Sequence, residues 1–322
     1  MRARMTTLAL VFAFTCVAYG AAQADPPPPF MLSWGTLGTG PGEFNNPYGV
    51  ALDPAGDVYV TDQNNNRVQK FNPNGTFVMQ FPTPAGSLPG GIEIGRLDNI
   101  YVVMSALDKV IIYTPSGAVF GQFGKSGSLA AQFINPGGIG IDSGFRLYIA
   151  DTGNDRVQKF SIGGSFQTLW GSTGSGPGQF IEPRGVAVDA SNNIYVVDRG
   201  NSRVQKFTNT GVFLAEWGTP GTGDGQFVAP EGVDIDFAGN VYVTDGGNND
   251  KVQKFTNTGV FLSSWGGTGS ADGQFVGPGD CAADGLGEIF VADQGNNRIQ
   301  VFGGPPVPGL KKSWGNLKAL YR

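Results

Sequence analysis

A proline recurs along this chain at nearly constant spacing: Pro47, Pro89, Pro136, Pro183, Pro230 and Pro278, separated by 42, 47, 47, 47 and 48 residues. Self-similarity at such a period restricts a chain to solenoids, propellers or arrays, because each unit must bury its apolar face against the next. The fourth copy shows what a unit contains. Pro183 is followed by Gly185-Val186-Ala187-Val188-Asp189, Asn193-Ile194-Tyr195-Val196-Val197-Asp198, Arg203-Val204-Gln205-Lys206-Phe207 and Gly211-Val212-Phe213-Leu214-Ala215-Glu216-Trp217-Gly218. Each piece is short, rich in β-branched or aromatic residues and bounded by Gly, Asn or Asp, which reads as four strands joined by tight turns. Four-stranded antiparallel sheets repeated radially stack face to face, so both faces can be apolar. The expected fold is all-β: a six-bladed β-propeller of four-stranded blades spanning residues 30–302.

A ring must close, since an unpaired inner edge exposes backbone donors and acceptors. The sixth copy runs through Arg298-Ile299-Gln300-Val301-Phe302 and then into Gly303-Gly304-Pro305-Pro306, without a fourth strand. Phe30-Met31-Leu32-Ser33-Trp34-Gly35 matches the fourth strand of the fifth copy, Val260 to Gly266, and Trp34 precedes Pro47 by 13 residues, as Trp170 precedes Pro183. Residues 30–34 are therefore expected to complete blade six. Ser313-Trp314-Gly315 competes for that place but lies 12 residues beyond Phe302, against 10 between Phe207 and Trp217.

Residues 1–24 read as a secretory signal peptide: Arg2 and Arg4, the apolar run Leu8 to Val17, and the small-x-small site Ala22-Gln23-Ala24. The run is shorter than the ~20 residues of a membrane span, so the expectation is an exported chain, periplasmic, secreted or cell-surface associated, with no membrane insertion. A proline-rich linker (25–29) and a basic C-terminal tail (303–322) flank the propeller. Cys281 stands where other copies carry valine and is expected in the core.

The run Gly178-Gln179-Phe180, Pro183, Gly185-Val186-Ala187-Val188-Asp189, Ile194-Tyr195-Val196-Val197-Asp198, Gly200-Asn201 and Arg203-Val204-Gln205-Lys206-Phe207 resembles the NHL repeat. Copies one, three, five and six share the pattern, for example Asp151, Gly153-Asn154 and Arg156-Val157-Gln158-Lys159-Phe160. That resemblance implies an interaction platform for proteins or RNA. Related six-bladed folds include amidating lyases, streptogramin lyases and calcium-dependent lactonases. Copy two diverges, with Met104 in place of the aspartate, Gly95 in place of Asp53, and a loop before Pro89 that is five residues shorter.

Candidate sites follow from the repeat. A basic residue opens each third strand (Arg67, Lys109, Arg156, Arg203, Lys251, Arg298), facing an aspartate that ends the second strand in every copy except the second (Asp62, Asp151, Asp198, Asp245, Asp293). These read as cross-hairpin pairs worth ~0.2–1 kcal/mol each, with a ligand-binding basic ring as the functional reading. Asp53, Asp142, Asp189, Asp236 and Asp284 end first strands and read as turn formers. After the repeat prolines, Tyr48, Arg184 and Glu231 are placed to shape a channel mouth, Arg184 and Glu231 as a pair from neighbouring blades. Glu93, Asp234 and Asp280 are candidate channel carboxylates for a calcium ion, which prefers 6 to 8 oxygen ligands.

Histidine is absent, which removes the commonest general base and zinc ligand. Without Arg2 and Arg4 the chain has 19 basic and 26 acidic residues, net −7, the wrong sign for a phosphate-binding surface. The expected function is a non-enzymatic, extracytoplasmic binding scaffold for a protein or glycan partner, monomeric, without cofactor and without nucleic acid. The alternative is a calcium-dependent lyase or lactonase-like hydrolase using the channel carboxylates.

Overall fold

The computed structural model describes residues 25–284 and 287–303. Its strands form six four-stranded antiparallel sheets. In blade one the strands are Pro47–Leu52, Val58–Asp62, Arg67–Phe71 and Phe77–Pro82, in that spatial order. Blade six takes Pro278–Ala283, Ile289–Asp293 and Arg298–Phe302 from the end of the propeller and Phe30–Trp34 from its start. The closing strand pairs Phe30 with Phe302, Ser33 with Gln300 and Trp34 with Ile299, as the spacing of Trp34 and Pro47 predicted. The competing Ser313-Trp314-Gly315, the C-terminal tail from residue 304 and residues 1–24, where a signal peptide is expected, lie outside the described residues.

Six apolar clusters hold the ring, and each spans a blade boundary. Between blades six and one, for example, Val50, Val58, Val60 and Phe71 meet Ala282, Phe290, Ile299 and Val301. Cys281 is buried in the cluster between blades five and six, with Tyr242, Phe275 and Val291, and burial pushes its thiol pKa well above the ordinary value.

Two features of the repeat are explained by close approach. Innermost strands of adjacent blades touch through glycine: a Cβ on Gly138 would lie 2.5 Å from the carbonyl of Arg184, and one on Gly185 would lie 2.8 Å from that of Glu231. In five of the copies the loop before the repeat proline tucks a fully buried phenylalanine between blades, namely Phe44, Phe133, Phe180, Phe227 and Phe275. Gly171, at φ 105°, lies against the Phe180 ring at a distance that leaves no room for a side chain. Blade two, with its shortened loop, has no such plug among the described residues. Met104 and Tyr113 fill its interior instead, and the Tyr113 hydroxyl is buried without a hydrogen-bond partner.

Candidate binding site at the central channel

The first strands surround a central channel with about 150 Å³ open to water-sized groups. Its wall is largely aliphatic, from Val50, Ile92, Ile139, Val186 and Val233, and carries Glu93, Asp234 and Asp280. Asp280 occupies the position that is glycine in the other five copies, at the level where the inner strands touch. A Cβ added to Gly232 would sit 2.5 Å from its Oδ1. Asp280 accepts the N–H of Cys281 at 2.9 Å, Asp234 that of Ala283 at 2.7 Å and Glu93 that of Ile94 at 2.9 Å. Burial pushes the Asp280 acid well above the usual carboxylate range, with the Asp234 and Glu93 charges adding to the effect and the N–H groups of Cys281 and Val50 opposing it. Among the described residues no three His, Cys, Asp or Glu side chains converge closely enough to hold a metal ion.

At the proline end Tyr48 reaches past blade six to blade five, donating from its hydroxyl to Glu231 Oε2 at 3.3 Å. Burial first, and then the Glu231 carboxylate, raise the phenol well above its ordinary pKa, so it remains a donor. The expected partner Arg184 is only loosely engaged, its Nε 4.0 Å from Glu231. The closer cation is Arg199, whose Nε lies 2.8 Å from Glu231 Oε1 and whose Nη1 donates to Glu182 at 3.0 Å. Arg199 belongs to the turn after the second strand of blade four, at a position where blades one and six carry glutamine, so the repeat pattern did not point to it. The Arg184 and Arg199 Nε atoms are buried and neither makes an aligned hydrogen bond. The short Arg199 contact is therefore an ion pair whose N–H is not aimed at the oxygen.

The basic residues of the third strands are drawn into the structure. Arg67 donates from Nε to Asp62 at 2.7 Å, from Nη1 to Thr39 O and Gln80, and from Nη2 to Gly40 O and Glu43 O. Arg203 repeats this with Asp198, Ser175 O, Glu216, Gly176 O and Gln179 O, which engages every guanidinium donor in both residues. Arg156 and Arg298 bind Asp151 and Asp293 at 2.7 Å. Lys251 donates to Thr222 O and Gly223 O. The aspartates Asp62, Asp151, Asp198 and Asp293 are fully buried, so the value expected for an exposed pair is too small: each carboxylate anchors one loop and one hairpin of its blade from the interior. In blade two, where Met104 opposes it, Lys109 is half-buried and reaches only Gln122, at 3.5 Å.

The first-strand aspartates behave as turn formers. Asp53 accepts N–H groups from Ala55 and Asp57, both at 2.9 Å, and Asp189 those of Ser191 and Asn193. Three of them also hold a second-strand tyrosine, Tyr148, Tyr195 and Tyr242, by its hydroxyl. A third-strand lysine covers each ring and reaches the next blade: Lys159 donates to Asn209 O and Lys206 to Asn257 O. Lys254 finds Asp25 at 2.7 Å instead, because blade six takes its fourth strand from the N-terminal side of the chain.

The model of the NHL repeat matches residues 44–71 and 180–207, which run from the buried Phe44 and Phe180 to the ends of the third strands of blades one and four. This chain is an NHL-repeat propeller. NHL repeat-containing protein 3 of Homo sapiens is 51% identical over 45 residues, 13% of each protein. The E3 ubiquitin-protein ligase TRIM71 of Rattus norvegicus is 45% identical over 47 residues, 15% of this chain and 6% of the ligase. The chain thus spans only a small part of the relatives it matches. Among solved structures, a gluconolactonase of Xanthomonas campestris superposes with TM-score 0.64 at 13% identity, over 89% of this NHL propeller and 98% of that protein. A catalytically inactive virginiamycin B lyase of Staphylococcus aureus, bound to quinupristin and carrying alanine for one histidine, gives 0.58 at 15%, over 83% and 86%. At these identities the likeness is one of fold alone. No helix among the described residues is long and apolar enough to cross a membrane.

Proposed function

We propose that this NHL propeller is an exported, non-enzymatic scaffold that binds a protein or glycan partner at its proline end, through Tyr48, Arg184 and Glu231 together with Arg199. One observation carries this reading: the ring consumes most of its basic groups internally, whereas at the proline end Arg184 and Arg199 hold Glu231 without an aligned hydrogen bond from their buried Nε atoms. Arg184 is a quarter exposed there and Arg199 a third, a geometry suited to the carboxylates, carbonyls or hydroxyls of a partner. Lys109 is the one member of the basic set that keeps a loosely held ammonium, so the binding role expected of that set narrows to it. Against catalysis stands the missing histidine, the residue type whose replacement accompanies inactivity in the lyase with the same fold.

The test is capture on the immobilised mature chain from an extracytoplasmic extract, repeated with Arg184→Glu and with Lys109→Glu. The proposal expects retention of one dominant species by the parent and its loss in the Arg184 variant. Equal capture by all three chains contradicts it. Calcium addresses the alternative: a rise in melting temperature that grows with calcium concentration would show a metal site and favour the hydrolase or lyase reading.

A further inference from the structure

The end of the channel opposite the prolines has a different chemistry. It is ringed by the hairpins between first and second strands, and two of these depart from the others. Leu97 of blade two is 78% exposed at φ 59°, and Phe145 of blade three sits at φ 57° where blades one, five and six place Gly56, Gly239 and Gly287. A bulky side chain in left-handed backbone is disfavoured, and exposure of its apolar surface adds to the disadvantage. The Arg96 guanidinium lies over the Phe145 ring, 5.9 Å from its centroid, and Phe237 is 42% exposed on the same rim. Arginine and aromatic groups of this kind are the usual anchors of protein interfaces. The channel behind the rim contributes the second half of the argument. Its walls mix aliphatic side chains with carboxylates, and among the described residues neither Glu93 nor Asp280 forms an ion pair, both carboxylates being held by backbone N–H groups.

We propose that this rim is a second docking surface, separate from the proline end, which receives a protein loop whose lysine or arginine tip enters the acidic channel while flanking apolar residues rest on Leu97 and Phe145. Charge complementarity selects the tip, since a cation gains carboxylates set among aliphatic side chains and an anion meets like charge. The small free volume admits one extended side chain and excludes a folded domain, so a loop or turn is the occupant.

A fully randomised, disulfide-closed peptide library panned on the mature chain tests this, followed by affinity measurements on the enriched peptides. The variants are Leu97→Gly, which removes the apolar contact and relieves the backbone, and Glu93→Gln, which keeps an acceptor for Ile94. Enriched peptides should carry a basic residue at the loop tip beside an aliphatic or aromatic one. Each variant should weaken them roughly tenfold or more, which is about 1.4 kcal/mol, whereas Arg184→Glu should leave them unchanged. Enriched peptides without a basic tip, or indifferent to both variants, overturn the proposal, as does a library that yields none. Peptides sensitive to Arg184→Glu alone would overturn it while supporting the proline-end site. Pentylammonium binding as tightly as the peptides would assign the channel to a free amine and overturn it too.

Discussion

Replacing Asp198 by alanine isolates the device that the repeat uses most often. The Asp198 carboxylate is fully buried. It accepts the Ile181 N–H at 2.9 Å, the Asn201 amide at 2.9 Å, the Arg203 Nε at 2.7 Å and the Gln205 amide at 2.9 Å. Its removal takes the buried acceptor from Arg203 Nε, leaves the part-exposed Glu216 at Nη1 as the remaining counter-charge, and orphans three further donors. Breaking a buried pair from one side costs about 3–5 kcal/mol. In a domain of this size that corresponds to roughly 6–15 °C in melting temperature. Differential scanning calorimetry with urea unfolding at constant pH reads both quantities. Glu182→Ala provides the contrast: it removes the half-exposed pair with Arg199 at 3.0 Å, worth about 0–1 kcal/mol. If Asp198→Ala costs no more than Glu182→Ala, the buried brackets do not hold the blades together and the reasoning fails.

Two further outcomes follow from the interior. The folded chain retains the Asp280 proton to higher pH than the unfolded chain. Its contribution to stability is therefore complete below the ordinary carboxylate pKa, about 3.9, and is lost as the pH rises through the folded value. Asp280→Asn should stabilise the protein at neutral pH and flatten its stability profile above about pH 4. Parallel profiles for parent and variant would refute the assignment. Phe180→Ala, which empties a fully buried plug, should cost about 3–5 kcal/mol by chemical unfolding, and a cost under about 1 kcal/mol would show that the plug is not under packing constraint.

The blades and their closure could be read from the chain because both depend on local spacing. Trp34 to Pro47 repeats Trp170 to Pro183, and short apolar strands between tight turns leave little freedom. What escaped were contacts made across half a repeat or more. The acceptors of Arg67 are carbonyls 24 to 28 positions away in the loop before its own blade, where the residue types are incidental. Carbonyls carry no signature in a sequence, so a buried bracket and a displayed basic ring look alike. Arg199 escaped because its position in the repeat is Gln63 in blade one and Gln294 in blade six, and only its meeting with Glu231 gives it meaning. Tyr48 and Glu231 could be assigned to a mouth from their place after the proline, but their hydrogen bond joins blades one and five and depends on ring curvature. Lys254 meeting Asp25 has the same cause, since ring closure brings residues 229 positions apart into contact.

The account rests on a ring closed by strand Phe30–Trp34, whose half-buried Phe30, Met31, Leu32 and Trp34 pack on blade six and its neighbours. Thermal unfolding of a chain beginning at Thr36, compared with one beginning at Asp25, tests that most directly. Loss of the strand's ladder and of four partly buried side chains, each worth up to ~1.5–3 kcal/mol when fully buried, should lower the melting temperature by more than about 10 °C or abolish the cooperative transition. Superimposable melting curves would show that the N-terminal strand does not close the propeller.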